Sequence, residues 1–252
     1  MELFNNFFEA NGALAVLTRA SHILVGITWI GLLYFFNFVQ VPAYAELSDG
    51  ARSEALRKLT FRALWWFRYA ALLTFASGLV LVGLGSSAEK TNYLAGPTGT
   101  AILTGMLFGI TMFLNVWGVI WRNQKVVLAN AANLVAGGEA DPGAAAAGRR
   151  AFMASRQNVV FSVAMLFFMV FKTHSPVSGE LVSSGKMGAY WAIAIVIIAV
   201  LELNALGLLP WKATPNKGLN MMYDGPGVRN VLVSAFGVWF VFMILSEIFL
   251  KA

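Results

Sequence analysis

Long apolar runs recur along the chain, and short polar segments separate them. Each run approaches or exceeds the roughly 20 residues that an α-helix needs to cross a bilayer. Helices are predicted rather than strands, because lipid cannot satisfy free backbone groups and the runs lack the alternation of a lumen-facing strand. The six predicted spans are residues 20–41, 63–84, 101–121, 151–171, 187–209 and 228–250.

Two polar segments carry further local signals. The pattern predicts that the third helix continues beyond the membrane to about Val135, that "GGEADPG" breaks it, and that an alanine-rich stretch starts the next helix. The stretch "SDGARSEALRKLTFRALWWF" predicts an interfacial helix that leads into the second span, with Ser48 or Asp49 as its N-cap.

Composition supports an all-α polytopic membrane helix bundle that forms a single domain over residues 1–252. Hydrophobic residues make up 58% of the chain and charged residues only 12%, whereas soluble domains carry about 25% charged residues. The chain has no cysteine. Disulfides, zinc–thiolate sites, iron–sulfur clusters and a covalently attached c-type haem are therefore excluded.

Basic residues concentrate in alternate loops, which predicts the orientation of the bundle. The positive-inside rule assigns these loops to the cytoplasm and both termini to the outside, the periplasmic face of a bacterial inner membrane. This pattern explains the net charge of +6 without nucleic acid. The residues concerned are Arg52, Arg57, Lys58, Arg62, Arg122, Lys125, Arg149, Arg150, Arg156, Lys212, Lys217 and Arg229.

The only two histidines, His22 and His174, fall near the outer ends of the first and fourth spans. Ionisable groups inside a span are functional candidates by default. Two imidazoles at the same depth could serve as the axial iron ligands of one haem b. His22 could instead carry protons or be a satisfied packing residue. A two-histidine metal site is less favoured, because no acidic cluster or third histidine completes it.

His22, Gly26 and Trp29 share one helix face at i, i+4 and i+7. A glycine one turn from the imidazole leaves room for a flat macrocycle, so all three are candidate cofactor-binding residues. A packing role is equally physical, because glycine lets helices approach closely.

A second group of polar residues is predicted for the inner half of the bundle. Arg68 and Glu202 could pair, which would lower the cost of burying either charge; a structural pair is favoured over a proton path. Asn115 and Arg122 share a face of the third span. Asn158 enters the fourth span at a similar depth, so the amides could hydrogen-bond between helices.

The segment from Asn115 to Pro176 resembles the N-terminal membrane domain of the bacterial cytochrome-c-linked urate oxidase family. The opening "RASHILVGITWIGLLYFFNFVQ" is similar to that family's first span, and spans two, five and six match only loosely. The features that carry the resemblance are Asn115, Asn123, Gln124, Lys125, Asp141, Pro142, Arg149, Arg150, Asn158, His174 and Pro176.

The resemblance implies a redox-associated membrane scaffold, with urate as the family's substrate. Family members typically carry a C-terminal cytochrome c domain with a CxxCH site, which this cysteine-free chain lacks. Where the family tends to show a histidine beside the asparagine of span four, this chain has Arg156 and Gln157. An electron exit route would therefore lie on another subunit.

Three functions remain open from the sequence. The first is a membrane oxidoreductase that passes electrons between an outer-face partner and a cytochrome or quinone. The second is a non-catalytic accessory subunit of a larger respiratory or oxygenase complex, in contact with lipid and other subunits. The third is a small transporter that uses Glu202, Arg68 and Asn115, against which the absence of broken helices argues mildly. No phosphate loop, dinucleotide fingerprint, serine nucleophile elbow or HExxH motif is present.

Overall fold

The computed structural model describes residues 7–8, 12–88, 96–174, 182–225 and 227–250, apart from the side chains of 86–88, 97–98 and 171–174. Within that part of the chain the regular secondary structure is entirely helical. Six helices are long and apolar enough to cross a membrane. The predicted all-α membrane bundle is therefore confirmed.

We number the six long helices α1 to α6. Each of the first three joins α-helical parts through one π-helical turn: Phe35–Gln40 in α1, Leu56–Thr60 in α2 and Asn115–Ile120 in α3. A short 3₁₀-helix, Gly218–Met222, lies between α5 and α6. The α-helical parts are Ala13–Tyr34 and Val41–Glu46 (α1), Asp49–Ala55 and Phe61–Ala88 (α2), Pro97–Leu114 and Trp121–Val135 (α3), Ala144–His174 (α4), Ser184–Ala205 (α5) and Arg229–Phe249 (α6).

The helix ends agree with the local sequence signals. Ser48 caps α2, since its Oγ accepts a hydrogen bond from the backbone N–H of Ala51 at 3.4 Å. Helix α3 ends at Val135, and α4 starts at Ala144 after the break. Both expectations are confirmed.

The fifth helix ends before the predicted boundary at residue 209. It stops at Ala205, because Gly207 adopts a left-handed φ of +73°. The backbone N–H of Leu208 then bonds back to the carbonyl of Leu203 at 2.9 Å, which closes the helix with a Schellman-type turn.

Helix α4 is the central helix of the bundle. In its apolar window 67% of residues are buried, against 22% to 33% in the other five helices. It packs against α3 and α6 along much of its length and also contacts α1 and α5. Phe161 of α4 and Phe242 of α6 pack on opposite sides of Phe108 in α3, with ring centroids 5.1 and 4.8 Å away. The apolar core therefore surrounds α4.

The described part of the α5–α6 connection folds back on itself at the end of the bundle where α4 begins. The amino group of Asn220 donates to the carbonyls of Lys212 and Thr214, at 2.7 and 2.8 Å. Gly218 has a φ of +53°, and a Cβ added there would lie 2.4 Å from the Trp211 ring. Only glycine fits at this position, for both backbone and space.

Replacement of Gly218 by alanine is predicted to destabilise the protein more than the same change at Gly227. Both residues have left-handed φ values, +53° and +60°, but a Cβ at Gly227 meets nothing within 4 Å. Each alanine adds backbone strain of about 1 kcal/mol, and Gly218→Ala adds the clash with Trp211. Thermal unfolding in detergent measures the difference. Equal losses for the two variants would show that the Trp211 contact does not constrain this loop.

Candidate functional site

His22 lies in an apolar cleft at the end of the bundle where α1 and α3 begin and α2 and α4 finish. The cleft is partly open to the surroundings of the bundle, and its cavity volume is about 60 Å³. The imidazole is half-buried, and its Nδ1 lies 2.9 Å from Oγ of Ser77 in α2. The lining includes His22, Trp29, Thr74, Gly78, Met106, Gly109, Met165 and Met169.

The hydrogen bonds of Ser77 favour one tautomer of His22. The single hydroxyl proton of Ser77 points to the carbonyls of Leu73 at 2.6 Å and Thr74 at 3.1 Å. With the hydroxyl proton on one of these carbonyls, the Ser77 oxygen accepts from His22, an arrangement that favours the tautomer with the proton on Nδ1. The Nε2 atom is left with a free lone pair. Metal-ligating histidines are commonly held in this way, with one ring N–H donated to a nearby oxygen.

Gly78 is a site residue that sequence reasoning missed. A Cβ at this position would lie 3.2 Å from Cε1 of His22. The imidazole therefore rests against the bare backbone of α2. Gly26 behaves differently, since a Cβ there would meet Thr74 at 3.9 Å and Gly26 does not line the cleft. Its position favours helix packing, one of the two roles that the sequence left open.

Trp29 lines the same cleft, on the helix face that the sequence predicted for it. Its side chain is only 2% exposed, and its indole N–H finds no acceptor in the described part of the chain. A buried donor without an acceptor is costly, at about 1 to 3 kcal/mol. Trp29 is thus a polar group at the cleft wall that an occupant could satisfy.

Three thioether side chains also line the cleft. Met106 comes from α3, and Met165 and Met169 come from successive turns of α4. Imidazole and thioether sulfur are both ligands of haem iron and of soft metals such as Cu(I). Methionines in apolar runs are usually packing residues, so their positions in the sequence offer no reason to select these three.

His174, the second predicted iron ligand, is the last residue of α4. Its side chain lies outside the described residues, as does Pro176 of the resembling segment. The pairing of His22 with His174 stays a prediction. Among the described residues, no cluster of three or more histidines, aspartates or glutamates could hold a metal ion.

The predicted amide contact between the third and fourth spans is confirmed. The amino group of Asn115 donates to Oδ1 of Asn158 at 3.0 Å and to a Glu202 carboxylate oxygen at 3.1 Å. The amino group of Asn158 donates to the carbonyl of Met112 at 3.0 Å. Asn115 and Asn158 are almost fully buried. This network joins α3, α4 and α5 inside the bundle.

The suggested pair between Arg68 and Glu202 is wrong. The guanidinium of Arg68 lies over the Trp121 ring, 3.7 Å from its centroid, as a cation–π contact. Glu202 uses Asn115 as its partner instead. No ion pair in the described part of the chain joins the two residues. Arg122, which was expected on the same face as Asn115, has an exposed side chain.

Other residues of the resembling segment build the α3–α4 hairpin. Oδ1 of Asn123 accepts from Arg150 Nε at 3.0 Å, and Asp141 turns the loop by accepting from the N–H of Gly143 at 2.7 Å. Arg149 makes two parallel hydrogen bonds to the carboxylate of Asp224, at 2.6 and 2.7 Å. These residues therefore have structural roles in the hairpin and in anchoring the α5–α6 loop.

The surroundings of Asp224, in the α5–α6 connection, favour its ionised form. Its burial alone would raise the carboxyl pKa, but hydrogen bonds from Arg149 and the backbone N–H of Asn216, with the charges of Arg149 and Arg156, lower the pKa below its ordinary 3.8. Oδ2 accepts from the Asn216 N–H at 2.9 Å.

The chain was compared with protein-family models, with curated proteins and with solved structures, and no match was found in any of the three.

Replacement of Asn158 by alanine is predicted to lower the free energy of unfolding by about 1 kcal/mol, the usual scale for hydrogen bonds between membrane helices. The change removes the acceptor of Asn115 and the donor to Met112. Thr111→Ala is the matched control, since Thr111 bonds only to the Leu107 carbonyl of its own helix. Denaturant titration in detergent measures the free energy of unfolding of both variants. An Asn158 variant as stable as the control would contradict the role of this network.

Replacement of Asp224 by asparagine is predicted to destabilise the protein by about 2 kcal/mol at neutral pH, since Arg149 loses a charged partner. Because the pKa of Asp224 is lower in the folded protein, the ion pair stabilises the fold at pH values above the ordinary pKa of 3.8. This contribution is lost as the pH falls through the lower pKa of the folded protein. The difference in stability between wild type and Asp224→Asn should therefore become smaller below about pH 4.

Thermal unfolding from pH 7 to pH 3 tests this dependence. Asp49→Asn is the control, because Asp49 is 93% exposed in its ion pair with Arg52 and should contribute little. If the difference in stability between wild type and Asp224→Asn is constant with pH, the charge of Asp224 does not contribute to stability.

Proposed function

We propose that the chain is a multi-pass redox protein of a bacterial inner membrane that binds one haem b in the His22 cleft. The observation that carries this proposal is the tautomer of His22. In the tautomer with Nδ1–H donated to Ser77, Nε2 carries the lone pair that would ligate iron in an apolar cleft. His174 is the proposed second ligand, since α4 finishes at the same end of the bundle.

The chemistry of the cleft lining suits a porphyrin, and the cavity of about 60 Å³ would have to widen to hold one. The lining is largely apolar, and Gly78 and Gly109 contribute backbone without side-chain bulk. A Cβ at Gly109 meets nothing within 4 Å, so the wall is open there. Trp29 offers an N–H without an acceptor among the described residues. When bound, haem b would supply a reversible one-electron iron couple.

The protein's own residues would position the iron and keep water away from it. Ser77 would orient the imidazole by accepting a hydrogen bond from Nδ1–H. The apolar helices around the cleft lower the local polarity, which is one means by which proteins set a haem potential. By the positive-inside rule the cleft faces the periplasm, where a cytochrome c or another subunit would exchange electrons. The resemblance makes urate the first substrate to test.

Protein purified in mild detergent from haem-replete cells should show a b-type α-band after reduction with dithionite. His22→Ala and His174→Ala should each abolish it, because each removes one axial ligand. Ser77→Ala keeps the ligand but frees its tautomer, and should weaken haem retention by about tenfold or more. Thr28→Ala is the control, since that exposed hydroxyl bonds only to the Leu24 carbonyl of its own helix.

Iron and copper analysis of the same sample separates haem from a bare metal at the imidazole and thioethers. Copper without haem, or a flat spectrum, would contradict the proposal. The favoured function would then be that of a non-catalytic accessory subunit. If the band is present, reduction by urate is the next measurement, and its absence would remove urate while leaving the haem assignment intact.

A further inference from the structure

A second cavity lies at the opposite end of the bundle, among α1, α2, α3 and α4. Its cavity volume is about 220 Å³, and its lining is more polar than that of the His22 cleft. None of the described residues that line it is ionisable. Nothing in the haem proposal uses this cavity, and it can be examined independently of haem.

The three π-helical turns that the structure describes all contribute to the wall of this cavity. Phe36, Asn37 and Gln40 come from the turn in α1, Thr60 from that in α2, and Ile120 from that in α3. Each turn closes with a backbone bond to the carbonyl five residues earlier, such as Val41 N–H to Phe36 O. π-Helical turns are rare and occur frequently at functional sites. Their convergence on one cavity points to a binding site.

The hydrogen bonds around the cavity show which groups remain for an occupant. Asn37 uses its amino group on the Leu33 carbonyl and the Ser155 hydroxyl, both at 2.8 Å, so its oxygen remains. The oxygen of Gln40 accepts from Thr60 at 3.0 Å, so its amino group remains. Oε1 of Gln124 is buried and has no donor among the described residues. The cavity thus offers two acceptors and one donor.

The remaining walls favour a flat apolar body. Phe36, Phe67 and Phe152 contribute aromatic rings, and Leu64, Val41 and Ile120 contribute aliphatic side chains. Val41 is 38% exposed, so the cavity wall reaches the outer surface of the bundle. A charged ligand would find no counter-ion among the described lining residues, which makes its burial costly.

We propose that this cavity binds an uncharged aromatic ring that carries O–H or N–H donors, and that a quinol headgroup is the ligand it fits best. The two hydroxyls of a quinol donate to Asn37 and Gln124, and one hydroxyl oxygen accepts from Gln40. A quinone has only acceptors and leaves Gln124 without a donor. Binding should therefore be stronger for the quinol than for the quinone.

Thermal unfolding of the full chain in detergent, with rising decylubiquinol, tests this proposal. A ligand that binds only the folded protein raises Tm with concentration, so a saturable rise is expected. Decylubiquinone should give about tenfold weaker binding, from the loss of its donors. Hypoxanthine, a neutral heterocycle with N–H donors, tests a water-soluble source of the same chemistry.

Two variants and one control tie the effect to this cavity. Ala151→Leu fills space from a buried lining position and should abolish the Tm rise. Gln124→Leu removes the free acceptor and should weaken quinol binding by about tenfold, towards that of the quinone. Ala132→Leu adds the same volume at an exposed position of α3 and should leave binding unchanged.

The outcomes separate clearly. A rise with decylubiquinol that both variants reduce supports the quinol site, and a rise with hypoxanthine alone supports the shared chemistry from a soluble source. No rise with either probe overturns the proposal and leaves a water-filled cavity. A rise that persists in both Ala151→Leu and Gln124→Leu places binding elsewhere and also overturns it. Because no readout involves a haem spectrum, failure here leaves the haem proposal untouched.

Discussion

The burial of polar side chains on α4 is the constraint on which the rest of the structure depends. Arg156, Gln157, Asn158 and Ser162 are all 3% exposed or less. Inside a membrane bundle such groups are costly without partners. Each partner comes from a different part of the fold: Gly227 and Tyr223 of the α5–α6 connection, Asn115 of α3 and Tyr34 of α1. The arrangement of helices around α4 is therefore specified by hydrogen bonds as well as by packing.

The same constraint separates the two ends of the bundle. Towards the end where it begins, α4 presents Ser155 and Asn158, which hydrogen-bond to the amides of Asn37 and Asn115 in the π-helical turns of α1 and α3. Towards the other end it presents Met165 and Met169, and the facing helices supply His22 and Gly78. The side chains at one end suit a neutral ligand that forms hydrogen bonds, and those at the other end are of the kind that ligate iron or copper. The chemistry of each site thus follows from the side chains that α4 exposes there.

Much of the fold could be predicted because its signals are local. Span positions, the Ser48 cap and the break between α3 and α4 depend on apolar length, capping and glycine or proline. Asn115 and Asn158 could be matched because both lie at a similar depth. Depth alone gave the wrong partner for Arg68 and for Glu202, since it does not determine which helix faces are in contact. Gly78, Ser77 and the cleft methionines needed the register between helices, which one sequence does not contain.

The two proposed sites are physically independent. Along α1, His22 and Gln40 are separated by about 27 Å, at 1.5 Å per residue. Between them the helix contacts the core through Trp29, Leu33 and Phe36, all of which are buried. The two linings come closest along α1 at Trp29 of the cleft and Phe36 of the cavity, which are about 10 Å apart at 1.5 Å per residue. If both sites are occupied, electrons or protons must cross this apolar region through other groups. Within it, Tyr34 and Ser162, hydrogen-bonded at 2.8 Å, join α1 to α4. That contact is one polar link between the two helices in the region that separates the sites.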